Sequence, residues 1–212
     1  MTDFKDKAII LPPRFLGSVS HYAAMTAYPM AVIDRDMPFN KREKGTHRTV
    51  IADTRGLTSL TVPVEKPVSM TSARWSDIVI SGHGRWWNVM YTTLQSAYGR
   101  TPYFEYYADD FRVFFTEECA GMKLTEYNSG LDALVRRLAG VTTQVYDSVS
   151  ELPADTVCDD FRGRPTEDIT HDVEYYQVRS LQHGFLPGLS IADMLFNMGP
   201  ESILVLRSMA GI

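Results

Sequence analysis

The most basic segment of this 212-residue chain is 39–48, FNKREKGTHR, whose fixed cations are Lys41, Arg42, Lys44 and Arg48. His47 adds a fifth when protonated. A cluster of this kind can hold a phosphate or carboxylate, and arginine does so through two parallel N–H donors. The same run also reads as a solvated loop, since charge runs on loops are common. The histidines His21, His47, His83, His171 and His183 are scattered, with no i,i+4 pair, so no metal site is expected. Histidine titrates nearest neutrality, which makes His83, between Gly82 and Gly84, and His21 the candidate general bases. A loop histidine after a strand is also an ordinary surface residue. No nucleophile stands out.

Two further sets carry polar chemistry. The segment 159–165, DDFRGRP, reads as a loop in which Asp160 and Arg162 either pair with each other or leave Arg162 to hold an anion. The sequence leaves both open. The segment 171–179 contains Glu174-Tyr175-Tyr176-Gln177, a polar and aromatic set unsuited to a plain core strand. Neither a phosphate-binding GxxxxGK[ST] nor GxGxxG, HExxH or GxSxG is present.

These groups must be positioned by an α/β fold. Residues 7–11 (KAIIL) and 30–33 (MAVI) read as short strands around a helix from Val19 to Tyr28, capped by Ser18 or Ser20. That is the size of a βαβ unit, which implies parallel pairing, and it puts Pro12-Pro13-Arg14 at the carboxyl end of the first strand, where open α/β sheets bind ligands. Asp53-Thr54-Arg55-Gly56 between 49–52 and 57–64 is a hairpin signature. Residues 75–81 (WSDIVIS) and 141–146 (VTTQVY) read as further strands, 86–97 and 125–139 as helices, the latter ended by Gly140. Pro102 can begin a helix in which Tyr103, Tyr106, Tyr107, Phe111 and Phe114 recur at helical spacing. Such an aromatic stripe packs a core or lines a polar pocket. The expectation is that Tyr98 and Tyr103, at its start, face a pocket and that Phe111 to Phe115 pack the core. Ser190 caps a helix and Gly199-Pro200 breaks it into a C-terminal pair. The expected fold is a single α/β domain over 1–212: a central mixed sheet of short strands flanked by helices, a β-hairpin near 49–64 and a C-terminal helix pair.

Composition narrows the function. A net charge of −5 argues against a general nucleic-acid binder. No apolar run approaches the roughly 18 residues of a membrane helix. The N-terminal MTDFKDKAIILPP carries acids and too short an apolar run for a secretory signal. Cys119 and Cys158, in no CxxC, indicate neither a disulfide framework nor a cysteine zinc site. A cytoplasmic protein is the simplest expectation.

Three blocks, AYGRTPYFEYYADDF at 97–111, YYQV at 175–178 and HGFLPGLSIADMLFNMGPESILVL at 183–206, together resemble the WbqC-like family. Upstream, a strand ending in Pro-Pro, a tyrosine-bearing helix, a cationic loop and LTVPVEK at 60–66 follow the family's order. The resemblance implies a link with O-antigen and surface-polysaccharide synthesis. It implies a transferase moving an acyl or aminoacyl group to an amino sugar or sugar nucleotide, a small anionic substrate. The alternative is a non-catalytic protein that binds a small anion or a partner within a biosynthetic assembly. By resemblance, Arg42 and Arg48 neutralise phosphates, and the family's Asp-Leu-Arg falls on Asp160-Phe161-Arg162, with Arg162 holding a second anionic group. Tyr175, Tyr176 and Gln177, with Tyr98 and Tyr103, would meet the sugar ring. No cofactor is assigned. This chain departs from the family pattern after Trp86, where Trp87-Asn88-Val89-Met90 stands in place of a His-x-His pair. It departs again at Gly45-Thr46-His47-Arg48, which keeps only the last arginine of a Tyr-Arg-Asn-Arg core.

Overall fold

The computed structural model describes residues 6–69 and 71–212; residues 1–5, part of the stretch weighed above as a possible signal, lie outside these. The first strand, β1 (Lys7–Leu11), is apolar enough to be buried on both faces, and Pro12-Pro13 ends it. The helix α1 (Val19–Thr26) follows, and its N-cap is Ser18, whose Oγ accepts from the His21 N–H at 3.3 Å. β2 (Met30–Ile33) then pairs parallel with β1, Ala8 opposite Met30 and Leu11 opposite Ile33. The hairpin strands β3 (Arg48–Asp53) and β4 (Gly56–Thr61) come next, with Gly56 at φ 109° where the turn needs a positive φ.

The remaining strands, β5 (Gln144–Tyr146) and β6 (Val157–Asp160), complete a wholly parallel sheet in the order β5-β2-β1-β6. The antiparallel pair β3–β4 is a separate sheet, so the expected mixed sheet is two sheets. One cause is local: the Val50 carbonyl is taken by the Ser190 N–H at 2.8 Å, which occupies the side of β3 away from β4. β6 falls where a loop was expected, its acids lying on the edge of the sheet. Residues 75–81 are not a strand. Arg74 and Asp77 cap each other, Arg74 N donating to Asp77 Oδ2 at 2.8 Å, and this winds Trp75–Asp77 into a 3-10 turn. Only isolated bridges, Val64 to Ile80 and Val79 to Lys123, remain of the expected strand.

Helices α2 (Trp86–Tyr98), α3 (Phe104–Arg112) and α4 (Leu124–Ala139) pack against these sheets and the C-terminal elements. α3 starts two residues past Pro102, and Gly140 closes α4 in the left-handed region at φ 71°. A single turn, α5 (Ser180–His183), docks on the hairpin, Gln182 Nε2 donating to the Thr54 carbonyl at 2.9 Å. The C-terminal pair is α6 (Ile191–Met198) and α7 (Ser202–Ala210), joined at Gly199 and Pro200. Phe196 is the aromatic hub, with ring centroids 5.0 Å from Phe104 and Phe111 and 5.3 Å from Tyr98. Each such pair adds about 0.5–1.5 kcal/mol beyond area burial. Among the described residues no helix is long and apolar enough to cross a membrane.

Candidate functional site

The carboxyl ends of β1, β2, β5 and β6 all open on one edge of the sheet, and the loop from β1 to α1 crosses it. In that loop Leu16 adopts φ 43°, a left-handed conformation that costs a branched residue of order 1 kcal/mol or more. It is held from several sides. The Leu16 carbonyl accepts from Thr49 Oγ1 at 2.7 Å and Ser190 Oγ at 3.0 Å. Phe15 N donates to the Gly45 carbonyl at 3.0 Å, and the Gly17 carbonyl accepts from Ile191 N at 2.8 Å. The hairpin, the cationic loop and α6 therefore fix where Arg14 and His21 stand.

Two cavities share Arg14 and His21 as lining. The larger, about 300 Å³, lies by β3 and the loop after β6, and Arg48, Arg164, Ser18 and Glu167 also line it. The smaller, about 240 Å³, lies against α4 and the ends of β2 and β5, with Arg35, Asp132, Arg136 and Asp147. Arg14 forms an ion pair with Glu43, and its guanidinium runs so close to Gly45 that a Cβ there would overlap Nη1. Arg48 donates from Nε to Thr61 Oγ1 at 3.0 Å and makes no ion pair among the described residues. Arg164 lies over the Phe161 ring at 4.6 Å, with Asp168 3.7 Å away. Arginine thus outnumbers acid in the larger cavity. The smaller one is lined by three arginines and two aspartates, each already in an ion pair: Arg136 with Asp132 at 2.7 Å, Arg35 with Asp147 and Arg14 with Glu43.

His21 is 4% exposed, with its ring against Gly17 and edge-on to Tyr22 at 5.2 Å. Burial, and then the Arg14 charge, bring its pKa down to about 3, so near neutral pH it is an uncharged imidazole. Burial raises the Asp132 carboxyl above its ordinary range, against the pull of Arg136 and of hydrogen bonds from Arg136 and the Tyr22 hydroxyl.

Of the other expected site residues, Arg42 is exposed and lines neither cavity. Asp160 and Arg162 do pair, at 2.6 Å, and Arg162 also reaches Asp34 at 2.7 Å, so two carboxylates already engage its guanidinium. Tyr98, Tyr175 and Gln177 come together inside the protein, around Asp193. Tyr175 donates to Asp193 Oδ2 at 2.7 Å, and the Tyr98 hydroxyl accepts from Ala52 N at 3.2 Å and also hydrogen-bonds Asp193. Gln177 bridges the Leu186 backbone, donating to its carbonyl and accepting from its N–H, both at 2.9 Å. Burial raises Asp193, 1% exposed, above the usual carboxylate range. The expectation that Tyr98 faces a pocket is corrected: at 1% exposure it is core. Tyr103 packs on Gly199 and stacks on Tyr107 at 6.2 Å, bordering neither cavity, and Tyr176 is exposed. Phe111 and Phe115 are buried, as the stripe suggested, while Val113 between them is exposed.

His83 lines a third cavity, about 480 Å³, with Arg85, Trp86 and residues of β4, so the two candidate histidines stand at different places. Sequence reasoning reached Arg14 only through its position at a strand end and missed Arg164, Arg35, Asp132 and Arg136. The i,i+4 spacing of Asp132 and Arg136 was a usable sign. Among the described residues no group of three or more His, Cys, Asp or Glu side chains could hold a metal ion.

The model of the WbqC-like protein family matches residues 13–159. That span includes Arg14, His21, Arg48 and the whole ion-paired lining of the smaller cavity, but not Arg164 or the closing run at 183–206. No curated protein and no solved structure matches the chain.

Proposed function

The chain belongs to the WbqC-like protein family, and from that premise we propose that it is a transferase taking a phosphate-bearing substrate, such as a sugar nucleotide, at the carboxyl edge of its parallel sheet. The observation that carries this is the meeting of Arg14, Arg48 and Arg164 in one cavity beside the start of α1. Arginines supply paired donors for phosphate oxygens, and the helix start adds positive potential. Parallel α/β sheets bind ligands at this edge. In this reading Arg48 is the recruiting cation, since no carboxylate has to be displaced from it.

His21, uncharged and at the junction of the cavities, is placed to accept a proton from an attacking amine or hydroxyl. A phosphate on Arg14 would offset the charge that helps to depress His21 and make it a better base, although burial, the larger cause, stays. Acyl or aminoacyl transfer to an amino sugar in surface-polysaccharide synthesis is the reaction we assign to this arrangement. A non-catalytic anion-binding role is favoured by one observation: His83, Tyr175 and Gln177 do not gather at the arginines.

The test is thermal-shift screening with nucleoside diphosphates and nucleotide sugars. A ligand at about a hundred times its Kd adds about 2.7 kcal/mol, which for a chain of this size raises Tm by roughly 5–10 °C. Arg48→Ala should cut the shift severalfold while moving the unliganded Tm little, as an exposed side chain does. An unchanged shift in that variant would remove the phosphate clamp. Binding without turnover of any nucleotide sugar would favour the non-catalytic role.

A further inference from the structure

The β-hairpin has two outer edges, and the fold treats them differently. On β3 the Val50 carbonyl accepts from Ser190 N at 2.8 Å and Ala52 N donates to the Tyr98 hydroxyl at 3.2 Å, so that edge is covered. Just past β4, Val62 N donates to the His47 carbonyl at 2.8 Å. Alternation along the antiparallel pair then turns the backbone groups of Leu57, Ser59 and Thr61 away from β3. Pro63 continues that outward row, and its carbonyl accepts from Ser81 N at 2.9 Å. There the cover stops, because after Ser81 the chain leaves through Gly82-His83-Gly84 into α2. The outward N–H and C=O groups of Leu57, Ser59 and Thr61 have no hydrogen-bond partner among the described residues. Leu57 and Ser59 are exposed, so the open edge is reachable from solvent.

This edge borders the third cavity, about 480 Å³, which lies between β4 and α2. Trp86, Val89 and Met90 give the cavity an apolar wall, and Val89 is exposed. Its charged lining is cationic throughout, Arg55 and Arg85 with the titratable His83, and no carboxylate lines it. Arg55 is tied to Asp53 at 3.3 Å in the hairpin turn. Arg85 makes no ion pair among the described residues. The first turn of α2 holds no acid, so the positive potential of the helix start is unanswered.

We infer that the β4 edge is a docking strand for an extended, acidic segment of a partner protein. The segment adds its backbone at Leu57, Ser59 and Thr61, taking up the row where residues 79–81 leave it. Donors and acceptors repeating at every second residue are matched by another extended backbone, and an uncovered edge strand is a template for one. Alternate side chains of the segment meet Trp86 and Val89, while carboxylates towards its two ends meet Arg55 at the turn and Arg85 beyond Ser81. A second copy of this chain pairing edge to edge would bring like charges together, which disfavours a dimer through this strand. The cavity shares no lining residue with the arginine cavity, so the inference stands apart from the phosphate reading.

The experiment is amide-shift NMR on the isotope-labelled full chain, titrated with acetylated, amidated heptapeptides. One alternates valine and threonine between terminal glutamates; a second has lysines at its ends; a third repeats the first with its internal backbone nitrogens methylated. The glutamate peptide should move the Leu57, Ser59 and Thr61 amides and bind about tenfold or more tighter than the lysine peptide. The methylated peptide, which cannot donate along the row, should leave them in place. Ser59→Pro removes the central outward N–H and keeps every bond to β3, so it should weaken the glutamate peptide severalfold. Arg85→Glu, at an exposed position, should do the same should the proline disturb the hairpin. Absence of shifts at these amides at millimolar glutamate peptide, equal shifts from the lysine or methylated peptide, or shifts that survive both variants overturn the inference. Shifts from a thymidine oligonucleotide and not from the peptide overturn it in favour of a nucleic acid. Shifts that follow protein concentration without peptide overturn it in favour of a second copy.

Discussion

His21→Gln is expected to flatten the acid side of the stability curve, and the size of the effect follows from the burial of the ring. Unfolded, the imidazole titrates at its ordinary value of 6.5; folded, it does so at about 3. Below pH 6.5 the unfolded chain therefore binds a proton that the folded chain refuses. The His21 contribution is complete above pH 6.5 and declines as the pH falls towards 3. Each pH unit in that window removes about 1.36 kcal/mol, so lowering the pH from 6.5 to 5 removes about 2 kcal/mol through this one residue. For a chain of this length that is roughly 4–8 °C of Tm.

Other groups titrate on the same curve. His47 is depressed by burial and then by Lys44 and Arg48, and acts in the same direction. Asp132 and Asp193 are raised by burial and act in the opposite one, since their folded forms bind the proton more readily. The charges of Arg14, Asp132, Arg48, Arg164 and Glu167 surround His21 in both proteins. Only the difference between wild type and variant isolates the imidazole. Urea unfolding at half-unit steps from pH 7.5 to 5 measures it. A constant offset from lost ring packing is expected and carries no weight; the slopes must diverge by about 1.36 kcal/mol per unit below pH 6. Parallel curves would refute both the burial of an uncharged ring and the reasoning that makes His21 a base.

Tyr175→Phe should lower the unfolding free energy by about 1–3 kcal/mol, because the buried Asp193 loses the hydroxyl that donates to it at 2.7 Å. Nucleotide-induced thermal shifts should be unchanged, which separates a packing role for this tyrosine from the ring-binding role its family block implies. Gly45→Ala would put a Cβ into the space held by Arg14 Nη1, so the guanidinium must withdraw. Its partly exposed pair with Glu43 contributes at most about 1 kcal/mol, and stability should barely change. Pyrophosphate affinity by calorimetry should fall about tenfold or more, as expected for a charged hydrogen bond. Equal affinity would place the anion away from Arg14.

What the sequence showed and what it hid have physical causes. The β1-α1-β2 unit was legible because each piece declares itself locally: an apolar run stopped by prolines, a serine cap, a second apolar run. The segment 75–81 has the β-branched and aromatic content of a strand, yet Arg74 and Asp77 capping each other over three residues wound it into a turn. β6 was hidden because its acids read as loop, and only pairing with β1 makes it a strand. Tyr98, Tyr175 and Gln177 looked like ligand-facing side chains because their common partner is far away in sequence. Asp193 lies 18 residues from Tyr175, and its position three past the Ser190 cap offered it a local role instead.

The candidate site was hidden for a further reason. The arginines of the larger cavity come from the turn after β1, the start of β3 and the loop after β6, so no local window holds more than one of them. What joins them is the turn after β1, where Leu16 is kept in a left-handed conformation by Thr49, Ser190, Gly45 and Ile191. A turn needing that many partners is costly to keep for packing alone. Here it fixes Arg14 and His21 between a cavity rich in arginine and one whose charges are already paired. Since the same guanidinium borders both and depresses the same histidine, an anion in the first cavity changes the proton affinity available to a group in the second. That coupling disappears if Arg14 is displaced. Gly45→Ala should therefore raise the pKa of His21 as well as weaken the anion, two changes from a single added methyl group.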